Sequence, residues 1–343
     1  CATPLRLACR SVRTDACKTE VIAIMSTIPV KVLSAADVAK DIRLLHFART
    51  DGQPLPPFEP GAHIDLRLGP TLVRQYSLCG SATDGSSYGV AVKREPASRG
   101  GSKAVHEQLK PGSLLEISAP KNNFPIAPDA LHTVLVAGGI GITPLIAMAR
   151  VLLAGDMAFE LHYFCRAAEH AAFLEELQSG PLAPTTRVYL GLERDEVASV
   201  LAGVLLNRPD GGHLYTCGPR PFMDLVQDTA RRNWPDRCVH LEYFGAEVAA
   251  PAEGSTRFQV ALARRGITLT VEPGVTIVDA LRAAEVDVET ACEQGVCGTC
   301  ITPVIDGVPE HRDCFLNAAE HARGDCIAVC VSRSRTPTLV LDL

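Results

Sequence analysis

Apolar residues between positions 28 and 126 occur in short runs that turn residues separate. "AHIDLRL", "YGVAVKRE" and "LLEISAP" are such runs, and "PLPPFEPG", "TDGSS" and "KPGS" lie between them. Short runs with proline and glycine punctuation are typical of antiparallel strands. This block predicts an antiparallel β-barrel or sandwich.

The pattern changes between positions 127 and 246. "HTVLVAGGIGITPLIAMARVLLA" joins a short apolar strand to a helical run through a glycine turn, and "FELHYFCR", "TTRVYLG" and "GGHLYTCGPRPFMDLVQDTARR" continue the alternation. Strands that alternate with helices predict a doubly wound parallel sheet, the α/β class.

A third block follows residues 247–256, whose Ala, Pro, Gly and Ser predict a linker. In residues 257–343, "RFQVALARRGITLTV" gives two alternating strands around "RRG", and a short helix follows. This block predicts a small α+β domain. Residues 1–27 are expected to be a disordered leader or an upstream extension, and the alternative is a targeting peptide, which Asp15 and Glu20 weaken.

Composition excludes several classes of function. The 343 residues suffice for two or three domains, and 47% hydrophobic with 21% charged residues is typical of a globular protein. The net charge of -6 gives no basic face, so no nucleic-acid partner is expected. No run of about 18 apolar residues, the length of a membrane span, is present, so no membrane-spanning segment is expected. Thirteen cysteines, an odd number, fit a reducing compartment and predict a cytoplasmic protein.

Three cysteines lie close together in "CEQGVCGTC", and a fourth lies downstream in "IAVCVSR". Their C-x4-C-x2-C…C spacing matches the plant-type 2Fe-2S pattern. A disulfide framework would leave an odd thiol, and a zinc site normally shows two cysteine pairs. A lone C-x-x-C redox pair would leave the first cysteine without a role. The spacing therefore predicts four cluster ligands: Cys292, Cys297, Cys300 and Cys330.

Neighbouring residues support this cluster. Tight turns at Gly295 and Gly298 allow backbone amides to point at the sulfides and offset their negative charge. Cys314 and Cys326 lie nearby and are expected to be structural thiols.

Two glycine turns follow apolar strands of the second block. "AGGIGITPL" contains Gly138, Gly139 and Gly141, and "TCGPRPFM" contains Gly218 and Pro219 after Cys217. The first turn is not the full G-x-G-x-x-G fingerprint and is weak alone. Both turns are expected at the carboxyl edge of a parallel sheet, where helix amides favour pyrophosphate. Together they predict a dinucleotide site.

The first block contains a second pattern that favours the binding of an anion. In "VRQYSL", strand alternation places Arg74 and Tyr76 on one face, a cation beside an aromatic plane. Gly100, Gly101 and Ser102 are expected to open a helix whose amides favour phosphate.

In this order, "RQYS", "VAVKRE", "RGGS", "GGIGITP", "CGP", "EYFGA" and the four cysteines resemble the phthalate dioxygenase reductase family, which includes the reductases of vanillate demethylase-type systems. The resemblance covers residues 28–343. It implies an FMN-binding β-barrel of the ferredoxin reductase type at 28–126, an NAD-binding domain at 127–246, and a β-grasp 2Fe-2S ferredoxin domain at 257–343. Such a chain passes electrons from NADH to a partner Rieske oxygenase.

The resemblance also implies roles for individual flavin-site residues. Arg74 and Ser77 resemble the contacts to the flavin phosphate and ribityl chain, and Tyr76 resembles the residue packed on the isoalloxazine. Gln75 stands where a small hydroxylated residue is common in the family. The resemblance therefore assigns no contact to the Gln75 side chain. The remaining flavin-site positions are the phosphate-capping Gly100, Gly101 and Ser102, and the strand backbone of Ala91, Val92 and Lys93.

For the nicotinamide side, the resemblance places Thr143 where the nicotinamide approaches the flavin, and Phe244 where an aromatic shields the other flavin face. The expected dinucleotide contacts are Gly138, Gly139, Gly141, Cys165, Arg166, Cys217, Gly218 and Pro219. The segment "HRDCFL", with His311, Arg312 and Asp313, matches the ferredoxin domain and is expected to have a structural role.

The expected mechanism follows from electron counting. A nicotinamide delivers two electrons as a hydride, whereas a 2Fe-2S cluster accepts one, so a flavin must mediate. No general acid or base is required, and none is assigned. FMN is expected over FAD because the barrel has no insertion for an adenosine. NADH is expected over NADPH because Cys165 and Arg166 precede Ala-Ala-Glu-His, without a cationic cluster for a 2′-phosphate.

Two alternative functions stay open from the sequence. One is a stand-alone NADH:acceptor flavin iron-sulfur reductase. The other is a non-enzymatic redox sensor, although no helix-turn-helix or basic run is visible. A monomer is expected, because an electron shuttle must expose its cluster face.

Overall fold

The computed structural model describes residues 27–69, 72–80, 85–96, 100–244 and 256–343. Within these ranges the strands form three main sheets, one in each predicted block. The expected leader and linker fall outside the described residues, except for their last positions, 27 and 256.

The first sheet has six antiparallel strands among the described residues, in the order β4-β3-β6-β1-β2-β5. A bridge between Leu78 and Val90 joins the two edge strands and closes the sheet into a barrel. The strands are β1 Ile28–Ala39, β2 Ile42–Arg49, β3 His63–Arg67, β4 Val73–Ser77, β5 Tyr88–Lys93 and β6 Leu114–Ile117, with helix α1 Gly101–Gln108 after β5.

The barrel core follows from strand alternation. In β1, Ile28, Val30 and Val32 are buried and the residues between them are exposed, since successive side chains point to opposite faces. Phe47 and Ile64 extend the same core from β2 and β3. The predicted antiparallel barrel is confirmed.

The second sheet is parallel, in the order β11-β10-β7-β8-β9. The chain runs outward from β7 to β9 and then returns to β10 on the other side, so the topological switch point lies between β7 and β10. The elements are β7 His132–Gly138, α2 Ile142–Ala154, β8 Ala158–Cys165, α3 Leu174–Ser179, β9 Thr186–Leu190, α4 Arg194–Val204, β10 Gly212–Cys217, α5 Arg220–Ala230 and β11 Val239–Glu242. The predicted doubly wound sheet is confirmed.

The third sheet is mixed, in the order β13-β12-β18-β14-β16, and β15 pairs with β17 beside it. Thr276 caps α6, which packs Ile277, Val278 and Leu281 into the core. This is the expected β-grasp arrangement. Its elements are β12 Phe258–Leu262, β13 Ile267–Val271, α6 Ile277–Ala283, β14 Ile301–Asp306, β15 Pro309–Glu310, α7 Ala318–Arg323, β16 Cys326–Ala328, β17 Arg333–Ser334 and β18 Thr338–Leu341.

Arginines connect the three units. Arg150 on α2 pairs with Glu176 at 2.6 Å and donates to the carbonyl of Cys79 in the barrel segment. Arg220 at the start of α5 donates to Sγ of Cys314 in the third unit at 3.3 Å. None of the helices in the described ranges has the length and hydropathy of a membrane-spanning segment.

Candidate redox site

A cavity lies where the three units meet. It contains about 920 Å³ of empty space, including the open space at its mouth. Its walls come from the barrel, from the end of β11 and from the cysteine loop. They include His63, Arg74, Gln75, Tyr76, Ser77, Glu242, Tyr243, Phe244, Cys292, Gln294, Cys314 and Phe315.

The four residues of "RQYS" on β4 all line this cavity. Tyr76 also packs against the barrel core, and this burial raises the pKa of its hydroxyl above the usual range. Gln75 bonds to the His63 ring at 3.3 Å. That internal partner gives a physical reason for an amide at this position.

Arg74 lies against the start of α1. A Cβ added at Gly101 would be 2.5 Å from Cγ of Arg74, so only glycine permits this approach. Gly100, at φ +91°, is the N-cap of the helix. Ser102 Oγ accepts a hydrogen bond from the amide of Glu95 at 3.1 Å. The structure therefore brings the Arg74 side chain beside the amides at the start of α1, and the two together suit a phosphate.

The predicted residues of β5 lie outside the cavity lining. Ala91 and Val92 have buried side chains, and the carbonyl of Val92 bonds to the His106 ring at 2.8 Å. Lys93 pairs with Glu95 at 2.6 Å. A flavin contact through the backbone of these residues stays a prediction.

Glu242 is a cavity residue that sequence reasoning missed. It ends β11, and its Oε2 accepts a hydrogen bond from Ser77 Oγ at 3.3 Å. Desolvation raises the pKa of its carboxyl to about 8. The sequence offered one indication of this role. Glu242 lies in "EYFGA", two residues before Phe244, at the carboxyl edge of the parallel sheet.

The two glycine turns meet at the switch point. A Cβ at Gly141 would lie 2.2 Å from the carbonyl oxygen of Cys217, and one at Gly138 would lie 2.8 Å from the ring of Phe222. These two glycines are therefore required by packing within the chain. Gly139, at φ +54°, has no atom within 4 Å of an added Cβ and faces open space.

The other predicted dinucleotide residues surround this edge without lining the cavity. Thr143 is buried and donates to the carbonyl of Ile140 at 3.1 Å. Cys165 ends β8, Arg166 follows it, and Pro219 is the N-cap of α5 after Gly218. Phe244 differs from them, because it lines the cavity and is 38% exposed.

The four predicted ligand cysteines come together in one loop region and the turn after β16. Contact with Cys292 lowers the pKa of Cys297, and contact with Cys330 lowers the pKa of Cys300. The amide of Gln294 donates to Cys292 Sγ at 3.3 Å, and the amide of Thr299 donates to Cys297 Sγ at 3.4 Å. Four converging thiols with amide donors fit the ligand set of a 2Fe-2S cluster.

Two left-handed glycines shape this loop. Gly295 (φ +69°) and Gly298 (φ +74°) adopt the left-handed conformation that glycine favours. A Cβ at Gly298 would lie 2.3 Å from the Phe315 ring, so that ring covers the turn between Cys297 and Cys300. Cys314 lies beside it in the cavity wall and contacts Arg220 across the boundary between two units.

Comparison with known proteins agrees with this geometry. The family model for the 2Fe-2S iron-sulfur cluster binding domain matches residues 260–335. A vanillate O-demethylase oxidoreductase of Pseudomonas sp. strain HR199 is 45% identical over 307 residues, covering 89% of this chain and 96% of that relative. The phthalate dioxygenase reductase of Burkholderia cepacia is 38% identical over 314 residues, covering 91% and 96%. The chain belongs to the phthalate dioxygenase reductase family.

A solved phthalate dioxygenase reductase, described as a modular structure for electron transfer from pyridine nucleotides to a 2Fe-2S centre, superposes with a TM-score of 0.76. It is 37% identical, and the match covers 93% of this chain and 98% of that one. As a phthalate dioxygenase reductase family member, the chain is an NADH-dependent flavin iron-sulfur oxidoreductase that uses FMN and a 2Fe-2S cluster. The predicted oxidoreductase class, FMN and the 2Fe-2S cluster are confirmed, and the preference for NADH over NADPH stays a prediction.

Proposed function

We propose that this chain takes electrons from NADH and supplies them, through FMN and its cluster, to a Rieske-type oxygenase or demethylase component. The observation that carries the proposal is the single cavity bounded by the "RQYS" strand, the end of β11 and the cysteine loop. The relatives named as vanillate O-demethylase oxidoreductase and phenoxybenzoate dioxygenase subunit beta support an oxygenase partner. We further propose a monomer that works in the cytoplasm.

The cavity walls suggest how the chain holds a flavin. Arg74 and the amides at the start of α1 would bind its phosphate, while Tyr76 and Phe244 provide aromatic surfaces for the ring. When bound, FMN accepts a hydride and releases electrons singly. Cys292, Cys297, Cys300 and Cys330 would ligate the iron, and the amides of Gln294 and Thr299 would stabilise the thiolates.

The switch-point edge of the parallel sheet would bind the dinucleotide. Gly139 leaves space for a pyrophosphate, and the turn from Cys217 to Pro219 lies beside it. Cys165 ends the neighbouring strand and Arg166 follows it, at the edge where the adenosine ribose of dinucleotides is bound in such sheets. The domain boundaries proposed with this function are 28–126, 127–246 and 257–343.

The function is tested by anaerobic mixing of the purified holoprotein with NADH and, in parallel, with NADPH. NADH is expected to bleach the flavin and cluster absorption bands, with at least about tenfold slower bleaching by NADPH at equal concentration. Bands that stay unbleached with both nucleotides would exclude the reductase. A tenfold preference for NADPH would refute the nicotinamide assignment alone. Reoxidation by an added Rieske oxygenase tests the partner class.

Glu242 predicts a pH effect on stability. Its carboxyl has a folded pKa of about 8 against an ordinary value of 4.5. Between these values the folded chain holds a proton that the unfolded chain has released, so the free energy of unfolding falls as pH rises. Glu242→Gln, which cannot ionise, is expected to flatten this dependence and to be most stabilising near pH 8.

Thermal unfolding of holoprotein between about pH 5 and pH 8 measures this effect. Glu107→Gln, at an exposed position of α1, is the matched control and is expected to keep the wild-type slope. An unchanged slope in Glu242→Gln would show that this carboxyl does not control the dependence.

A further inference from the structure

Three side chains of the third unit form a cluster that electron transfer does not use. His311, Asp313 and His321 place one nitrogen or oxygen each within 4.8 Å of one another. The Asp313 carboxylate lies 3.3 Å from Nε2 of His321 and 3.6 Å from Nδ1 of His311. The two imidazole rings are stacked with their centroids 4.3 Å apart. These are the donor types that divalent transition metals prefer.

Asp313 is a buried carboxylate that pairs with two histidines and, among the described residues, with no lysine or arginine. Its side chain is fully buried, and its carboxylate forms hydrogen bonds with the amide of Leu316 at 2.8 Å, with Ser332 Oγ at 3.4 Å and with the His321 ring at 3.3 Å. The adjacent Arg312 pairs with Glu310 at 2.7 Å instead. A buried carboxylate requires a cation or an unusually good hydrogen-bond set.

His311 supplies an independent observation. Its side chain is only 9% exposed, and among the described residues neither of its ring nitrogens has a hydrogen-bond partner. Buried polar atoms without partners are uncommon, and an ion or a water is the ordinary explanation.

We propose that His311, Asp313 and His321 form a binding site for a divalent transition metal ion, with Zn²⁺ as the ion that fits best. Two imidazoles and one carboxylate are a common zinc ligand set, and a water would complete the tetrahedron. His321, at 31% side-chain exposure, provides the route of entry. A small rotation of this half-exposed ring would bring its nitrogen to bonding distance.

The location gives the site a consequence for the redox centre. A Cβ added at Gly295 would lie 3.0 Å from Cα of Asp313, and the amide of Cys314 donates to the carbonyl of Gly295 at 2.9 Å. A bound dication would therefore lie beside the cysteine loop. Positive charge there favours the more negative, reduced state of a cluster.

The test is zinc binding to the intact holoprotein, by isothermal titration with ZnCl₂ and by metal analysis after dialysis. Wild type is expected to bind one Zn²⁺ per chain without loss of iron or cluster absorption. His321→Ala is expected to weaken binding at least about tenfold, since loss of a second-shell partner alone costs about 10–100-fold. Because His321 is half-exposed on α7, this variant is expected to fold, which retained cluster absorption verifies.

Two controls separate this site from other zinc-binding side chains. His170→Ala removes a half-exposed histidine of the second unit, and Cys326→Ser removes a half-buried thiol of the third. Both are expected to bind zinc as wild type does. Absence of saturable zinc binding in wild type would overturn the proposal and leave ordered water as the partner of His311. Equal binding by wild type and His321→Ala, or loss of binding in Cys326→Ser, would also overturn it. None of these outcomes depends on NADH oxidation, so the proposed function is tested separately.

Discussion

Cys297→Ser is expected to lose the cluster and at least roughly 100-fold of the electron transfer to an external one-electron acceptor, while NADH still bleaches the flavin. Loss of a second-shell partner alone costs about 10–100-fold at metal sites, and this change removes a proposed ligand. The cluster absorption bands should disappear completely, because Cys297 lies in the same loop as two other proposed ligands, Cys292 and Cys300. Iron analysis, absorption spectra and cytochrome reduction measure the three parts of this result.

Cys326→Ser is the matched control, since this half-buried thiol belongs to the same domain and is not among the proposed ligands. It is expected to keep iron, flavin reduction and cytochrome reduction. If Cys297→Ser also abolished flavin reduction by NADH, the proposed order of transfer, flavin before cluster, would be wrong.

Arg74→Ala is expected to weaken FMN binding by about 10- to 100-fold, because a charge-assisted hydrogen bond to phosphate contributes about 1.5–3 kcal/mol. The guanidinium lies against Gly101 at the start of α1, so its loss removes one of two partners of the phosphate. Titration of flavin-free protein with FMN, followed by quenching of flavin fluorescence, measures the dissociation constant. Riboflavin, which lacks the phosphate, should bind wild type and Arg74→Ala with similar affinity.

Arg67→Ala provides the comparison for Arg74→Ala. Arg67 ends the neighbouring strand β3, is partly exposed and pairs with Glu116 at 3.9 Å, outside the cavity lining. Its replacement should leave FMN affinity unchanged. Equal FMN affinity in wild type and Arg74→Ala would place the phosphate elsewhere.

Local patterns were sufficient to predict most of the fold. The alternation in β1, the glycine turn between β7 and α2, and the hairpin of β12 and β13 around "RRG" all follow from neighbours in sequence. The same holds for the ligand loop, since C-x4-C-x2-C places three thiols within one short segment. Such features depend on backbone preferences and on burial of one face, which a single sequence displays directly.

The glycines of "GGIGITP" show the limit of that reasoning. The sequence predicted ligand contacts for all three, and those contacts stay predictions. The structure shows in addition that Gly138 and Gly141 pack against Phe222 and Cys217 from a different segment. Glu242 shows the same limit, because its significance comes from Ser77 in another domain. The contact of Arg220 with Cys314 also joins residues that no local pattern relates.

The sequence by itself determined the three strand and helix patterns, the spacing of the cysteines and the resemblance that they carry. Only the tertiary structure decided that β4, the end of β11 and the cysteine loop enclose one cavity, and that His311, Asp313 and His321 meet beside it. The physical reason is that periodicity and spacing record interactions between near neighbours. Contacts between distant segments, and the pKa shifts and buried polar atoms that result, arise when the segments pack and exclude water.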